Sequence, residues 1–233
     1  NLKFIDVAFT GVDHIPVAAA KERHIAVSNA SGYSNESVAE LVMGMTLSLL
    51  RRVPIVDKNT RNGKTVDGNV GFELLGKTVG VIGTGAIGSR AAELFNCFGC
   101  HVLGYDVNPR ELPGVENVSM EELLERADIV TLHCPLIDST RGLMNEKTIG
   151  AMKDGAILIN ASRGPVVEAK ALADALISGK LSAAGVDVYD VEPPIPADNP
   201  LLKAPNTILT PHIAFLSAES MEKRAKIVFD SLD

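Results

Sequence analysis

Apolar residues recur along the chain with two different periods, and the change from one to the other outlines the elements. Residues 4–9, FIDVAF, are a short apolar run ended by the turn TGVDH. PVAAAKER then reads as helix and IAVSNA as a second apolar run, so the start of the chain predicts a strand–helix–strand unit, the tail of a parallel sheet. In SNESVAELVMGMTLSLLRR the apolar positions Val38, Leu41, Val42, Met45 and Leu49 recur at helical spacing. Ser34 is the expected N-cap there, with Ser37 and Glu40 as a capping box. From Arg52 to Gly76 the chain is polar and contains glycine. That is too long for an ordinary connection, and an arm or functional loop is expected.

Beyond Lys77 the alternation becomes regular. Strand candidates TVGVIG, HVLGYD, IVTLHC, AILINA, LSAAGVDV and TILTP are separated by helical stretches such as SRAAELFNCF, SMEELLERA, NEKTIGAM and AKALADALISG. Strands and helices alternating at this spacing predict an α/β fold, a doubly wound parallel sheet with helices on both faces. Glu121, Glu122 and Glu125 read as a solvated helix face.

Composition removes several classes of function. The 233 residues are 46% apolar, ample for a core, yet the most apolar helical stretch, Leu41 to Leu50, is too short to span a membrane. A formal charge of −7 argues against DNA or RNA as a partner. Three cysteines, Cys97, Cys100 and Cys134, are too few and too odd for a disulfide scaffold, so a reducing, cytoplasmic setting is expected. The pair Cys97 and Cys100 has the spacing of a redox or half-zinc motif. With no second ligand pair at metal spacing, buried small apolar residues are the better reading and no metal site is expected. The chain starts at Asn1 rather than Met and has no signal peptide, so it is expected to be a fragment lacking its native start.

The segment VGVIGTGAIGSRAAELF places Gly83, Gly85 and Gly88 between an apolar strand and a helix. Gly83 suits a backbone angle that side chains resist, Gly85 lets the backbone approach an anion, and Gly88 lets helix and strand pack closely. Alone this is a weak signal. It gains force because the next strand ends in Asp106, where a dinucleotide fold presents an acid to the ribose hydroxyls. That carboxylate would repel a 2′-phosphate, which favours NAD over NADP, with Arg110 as a possible compromise.

Three later strand ends carry polar groups: Arg163 in NASRGPVV, Asp187 and Glu192 in GVDVYDVEPP, and His212 in ILTPHIAFLS. Reduction of a 2-oxo acid needs a cation for the carboxylate, a proton donor for the forming alkoxide and a carboxylate to orient that donor. Arg163, His212 and Glu192 fit those roles in that order. Each alone has an ordinary explanation, as a surface arginine, a turn histidine or a loop glutamate. Their grouping after the strands of a dinucleotide fold favours catalysis.

With these stretches the chain resembles the D-isomer-specific 2-hydroxyacid dehydrogenases, the family that includes D-lactate, D-glycerate and 3-phosphoglycerate dehydrogenases. The resemblance covers nearly the whole chain and rests on GVDHI, SNESVAELVMGMTLSLLR, FELLGKTVGVIGTGAIG, LHCPL, INASRG, GVDVYDVEPP and PHIA. It implies that Arg163, Glu192 and His212 are catalytic. It implies cofactor contacts at Thr10, Gly83, Gly85, Ala86, Ile87, Gly88, Asp106, Cys134, Pro135, Ala161, Ser162, Arg163, Asp187 and His212, with Asp187 on the nicotinamide amide. The substrate would be held by the Thr10 and Gly11 backbone with Arg163, against Phe9 and Phe215. His133 is expected to be a structural strand-end residue. Pro165 replaces a frequent second glycine of the family, which nothing in the sequence explains.

The same resemblance implies a domain division. Residues 1–34 would be the end of a flavodoxin-like substrate domain, 35–222 the Rossmann NAD-binding domain with a dimerisation helix and arm, and 223–233 a helix returning to the substrate domain. A homodimer and reversible, NAD-dependent interconversion of a small D-2-hydroxy acid and its 2-oxo acid follow as expectations. The alternative is an NAD-sensing binding protein like the C-terminal-binding corepressors, which keep the same three polar residues. A third reading, a relative of adenosylhomocysteine hydrolase, is disfavoured by the SRG, EP and PHIA motifs.

Overall fold

The computed structural model describes residues 2–66 and 68–232. Two parallel sheets are present. The smaller pairs β1 (Phe4–Val7) with β2 (Ala26–Asn29) across α1 (Val17–Glu22), in the register Phe4 to Ala26 and Val7 to Asn29. The larger has seven strands: β3 (Thr78–Ile82), β4 (His101–Tyr105), β5 (Val115–Asn117), β6 (Ile129–Leu132), β7 (Ala156–Asn160), β8 (Leu181–Val186) and β9 (Thr207–Leu209). Their order is β5-β4-β3-β6-β7-β8-β9, all parallel. The chain therefore starts this sheet in its interior, builds outward to β5, then returns to the other side of β3. The direction of winding reverses between β3 and β6, and in such sheets the crevice beyond the strand ends at that point is where ligands bind.

The remaining helices are α2 (Asn35–Leu50), α3 (Val53–Arg61), α4 (Ala86–Cys97), α5 (Met120–Arg126), α6 (Glu146–Ala151), α7 (Ala169–Ser178) and α8 (Ala218–Asp230). Every residue of β6 and β7 is buried, as expected of central strands covered on both faces. On β3, Val79 and Val81 join Val42, Met45 and Phe95 on one side, while Ile82 packs with Leu103, Leu123 and Leu132 on the other. A Cβ on Gly80 would lie 2.3 Å from Leu123 Cδ2, so glycine is what lets α5 sit on the sheet. No helix among the described residues is long and apolar enough to cross a membrane.

All six strands expected after Lys77 are present; β5 is additional. It is a three-residue edge strand with two exposed positions, too short to show a period. Two expectations about the helices need correction. The Ser37–Glu40 capping box does not form: α2 starts at Asn35 with Ser34 at its N-cap, and the Ser37 hydroxyl meets that of Ser217 at 2.9 Å. The reciprocal caps occur instead at Asn145 with Thr148 and at Ser217 with Ser220, opening α6 and α8. The polar stretch after Arg52 is not all loop. Arg52 adopts a left-handed conformation (φ 54°), Pro54 sits in the first turn, and α3 follows with an Asp57–Arg61 pair and no buried residue, which hid it from an apolar pattern.

The expectation that both cysteines are buried holds for Cys100 and is corrected for Cys97, the exposed last residue of α4; neither is bonded to another cysteine. No cluster of metal-ligating residues exists among the described residues. His133 follows β6 at the switch crevice, its Nε2 3.0 Å from Thr131 Oγ1 on its own strand. Burial pushes its imidazole down to about 4.

Phe95 is fully covered whereas Phe98, at the end of the same helix, is 47% exposed. Phe95→Ala is expected to lower the unfolding free energy by about 3–5 kcal/mol, and Phe98→Ala by about 0.5 kcal/mol or less, as read by urea titration. The fold holds His133 neutral, so unfolding takes up a proton between its folded value of about 4 and its ordinary 6.5. The stability it contributes is fully present above that window and is lost as pH falls through it. His133→Gln is expected to flatten this part of the pH–stability curve in urea titrations across the window.

Candidate active site

The glycine loop after β3 shows a separate reason for each glycine. Gly83 has φ 91°, and a Cβ there would lie 2.7 Å from the backbone of both His133 and Cys134. At Gly88 a Cβ would lie 1.9 Å from the Gly83 carbonyl oxygen, so the first turn of α4 rests on the loop it leaves. Around Gly85, at the N-cap, nothing lies within 4 Å of the Cβ position, and no side chain caps the helix. An open approach thus meets a helix N-terminus whose first N–H groups have no side-chain partner, the arrangement that receives a phosphate. At the end of β4 the Asp106 carboxylate closes the loop, Oδ2 accepting from the Thr84 N–H at 2.8 Å and Oδ1 from the Asn108 N–H at 2.9 Å. This cradle fits a dinucleotide, with an acid at the ribose position.

Other expected cofactor contacts line the same crevice end. Ala86 and Pro135 are exposed, Ile87 and Ala161 half-buried. Cys134 is nearly covered, and burial raises its thiol to about 11, so it is a packing surface rather than a nucleophile. Ser162 donates through both its N–H and Oγ to Asn160 Oδ1, at 3.1 and 3.0 Å. Asn160 Nδ2 in turn donates to the Arg163 carbonyl at 3.0 Å. This buried asparagine, which the sequence reading did not single out, builds the turn that presents Arg163.

The Arg163 guanidinium reaches across to the loop after β1. Nε donates to Asp13 Oδ1 at 3.2 Å and Nη1 to the Ser162 carbonyl at 2.7 Å. A Cβ on Gly11 would lie 1.7 Å from Nη2, so a side chain there would displace the end of Arg163 from the loop it rests against. Burial pushes the Asp13 carboxyl up, but the Arg163 charge together with hydrogen bonds from its own backbone and from Arg163 holds it below the usual range. Asn29 Nδ2 fixes the loop by donating to the Thr10 carbonyl at 2.7 Å. Asp13 and Asn29 also escaped the sequence reading, because their role exists only once the two sheets face each other.

His212 Nδ1 lies 2.9 Å from Glu192 Oε1, and Nε2 has no hydrogen-bond partner among the described residues. The histidine has φ 55°, a conformation rare for a side-chain-bearing residue. What holds it there is Asp187. Its backbone carbonyl accepts the His212 N–H at 2.7 Å, and its carboxylate accepts from Thr210 Oγ1 at 2.5 Å and from the N–H groups of Ile213 and Ala214 at 2.9 and 2.8 Å. Asp187 is 0% exposed. Asp187, the residue expected beside a nicotinamide amide, here turns its carboxylate to the donors of the histidine loop, which satisfy a buried acid.

The rings of His212 and Phe215 meet edge to face at 5.6 Å, Phe215 meets Phe9 at 5.9 Å, and Tyr33 meets Phe215 at 6.4 Å. Among the described residues the buried side-chain oxygens left without a partner are Thr10 Oγ1 and Glu192 Oε2. Both belong to this cluster, so unspent hydrogen-bonding capacity is concentrated where a ligand would lie.

Comparison with known proteins agrees with this geometry. Residues 43–214 match the NAD-binding domain of the D-isomer specific 2-hydroxyacid dehydrogenases. The chain is 41% identical to a hydroxypyruvate reductase of Thermotoga maritima over 226 residues, 96% of this chain and 74% of that protein. It is 38% identical to a glyoxylate reductase of Thermofilum pendens, covering all of this chain and 71% of that one. The crystal structure of a D-lactate dehydrogenase from Aquifex aeolicus, complexed with NAD and lactic acid, superposes with a TM-score of 0.93 at 37% identity, over 99% of this chain and 75% of that one. The matches lend no support to the nucleotide-sensing alternative. The chain belongs to the D-isomer-specific 2-hydroxyacid dehydrogenases, NAD-dependent oxidoreductases that interconvert a 2-hydroxy acid and its 2-oxo acid.

Proposed function

We propose that Arg163, His212 and Glu192 carry the reaction in this chain, acting on a small D-2-hydroxy acid. The supporting observation is the 2.9 Å contact of His212 with Glu192 at the same sheet edge as the glycine turn, with Arg163 pressed on Gly11. The glycine loop and Asp106 would hold NADH, which would supply the hydride for the carbonyl carbon. Arg163, with the Thr10 and Gly11 N–H groups, grips the substrate carboxylate and polarises the carbonyl. His212 gives the proton from Nε2 to the carbonyl oxygen, while Glu192 on Nδ1 fixes the ring and its tautomer. Phe9 and Phe215 wall the side-chain end. The small-acid reading is supported by relatives named for hydroxypyruvate and glyoxylate reduction.

The same reading divides the chain into substrate-domain residues 1–34, nucleotide-domain residues 35–222 and a returning segment 223–233. The separate two-stranded sheet and the 2.8 Å bond from Ser231 Oγ to Asp6 Oδ2 support it. The helix carrying that segment begins earlier, at Ala218. Homodimerisation through α2 and the following arm is supported by the exposed Val53, Ile55, Val70, Phe72 and Leu75. A cleft of about 400 Å³ borders Ile55 and Phe72 at the N-terminal strand ends, away from His212. Three unpaired cysteines support a reducing, cytoplasmic setting.

His212→Gln is expected to lower kcat for 2-oxo acid reduction by about 10²–10⁴-fold while NADH affinity, read by fluorescence titration, changes far less. Equal loss of both would give His212 a structural role and overturn the assignment, as would failure of the protein with NADH to reduce any of a broad panel of 2-oxo acids. Asp106→Ala is expected to weaken NAD more than NADP. An unchanged ratio of the two kcat/KM values would remove Asp106 from cofactor choice.

A further inference from the structure

Helix α8 carries a charge on the wrong face. Glu222, Lys223, Ala225 and Lys226 are exposed, whereas Ser220, Met221, Ile227 and Val228 are covered or half-covered, an amphipathic division in which Arg224 falls on the covered side. Its guanidinium carbon stands 5.2 Å from the centroid of the Phe9 ring and 6.0 Å from that of Tyr33. Both rings meet Phe215, which meets His212. Arg224 therefore stands two ring contacts from the group assigned as proton donor. None of the ion pairs among the described residues includes it. Tyr33 is 4% exposed; burial pushes its hydroxyl up, and the charges of Arg224 and then Arg163 act against that push.

Stacking on aromatic rings uses the face of a guanidinium, so its in-plane fork keeps N–H donors beyond the one that meets the Tyr33 hydroxyl. Such a fork, partly desolvated and without a carboxylate partner, suits an anion that presents two oxygens. We propose that Arg224 determines specificity by recognising an anionic tail on the substrate: a 2-oxo acid whose side chain ends in a carboxylate or a phosphate monoester, its carbon chain lying against Phe9, Tyr33 and Phe215. This rests on the reading that Arg163 and His212 engage the 2-oxo acid head.

The test compares acids that differ only at the tail, with NADH and the purified protein. 2-Oxoglutarate is set against 2-oxopentanoate, and 3-phosphohydroxypyruvate against hydroxypyruvate. In at least one pair the charged acid is expected to have the higher kcat/KM, by about tenfold to a hundredfold, the range of a charge-assisted hydrogen bond. Which pair shows it separates carboxylate from phosphate. Arg224→Met is expected to erase that ratio through KM, and Arg224→Lys to keep part of it, with NADH fluorescence titration reporting that each variant is folded. A wild-type protein that prefers the uncharged member of both pairs overturns the proposal, as does a ratio that survives Arg224→Met. Reduction of none of the four acids defeats the underlying reading of Arg163 and His212 instead.

Discussion

Four hydrogen bonds on one aspartate hold the candidate catalytic edge of this protein together. The carbonyl of Asp187 takes the His212 N–H, and its carboxylate takes the Thr210 hydroxyl and two further N–H groups of the same loop. A carboxylate without exposed surface is costly unless such donors surround it. Once surrounded, it cannot release the loop without stranding a buried charge, so the left-handed backbone at His212 is over-determined by its neighbours. The imidazole is consequently placed by β8, through Asp187, as much as by its own strand β9. Glu192, from the loop after β8, then engages the ring itself.

The nucleotide side depends on contact of a different kind, between backbones. Gly83 and Gly88 lie so close that a single methyl group at position 88 would overlap a carbonyl oxygen, and Gly83 itself is pressed against the chain leaving β6. The switch between β3 and β6 is thereby tightened into one surface formed by two strand ends. Gly85 alone among the three faces open space. The loop is rigid where it packs and open where an anion would come.

Arg163 joins these two halves to the smaller sheet. Asn160 shapes the turn that carries it, Asp13 meets it from the loop after β1, and Gly11 makes room for it. The head of a 2-oxo acid would consequently be gripped by groups from both sheets. Beyond that head the walls are aromatic and end in Arg224, a polarity gradient from cation through rings to cation that matches an acid charged at both ends.

How much of this was legible beforehand depended on whether the information was local. Strands and helices after Lys77 announce themselves because the apolar period reports burial directly, and the roles of Gly83 and Gly88 follow from turn and packing sterics confined to a few neighbours. Helix α3 and strand β5 were missed for the converse reason: neither buries an apolar face. Sequence by itself determined the parallel α/β order, the glycine turn and the identity of the arginine, glutamate and histidine at three strand ends. Only the tertiary structure decided that Asp187 faces inward to clamp the histidine loop, that Asp13 rather than solvent meets Arg163, and that Arg224 comes to lie over Phe9 and Tyr33. Those contacts join residues far apart in the chain, where no periodicity links the partners. Their energies depend on burial and orientation, which exist only once the sheets and α8 have packed.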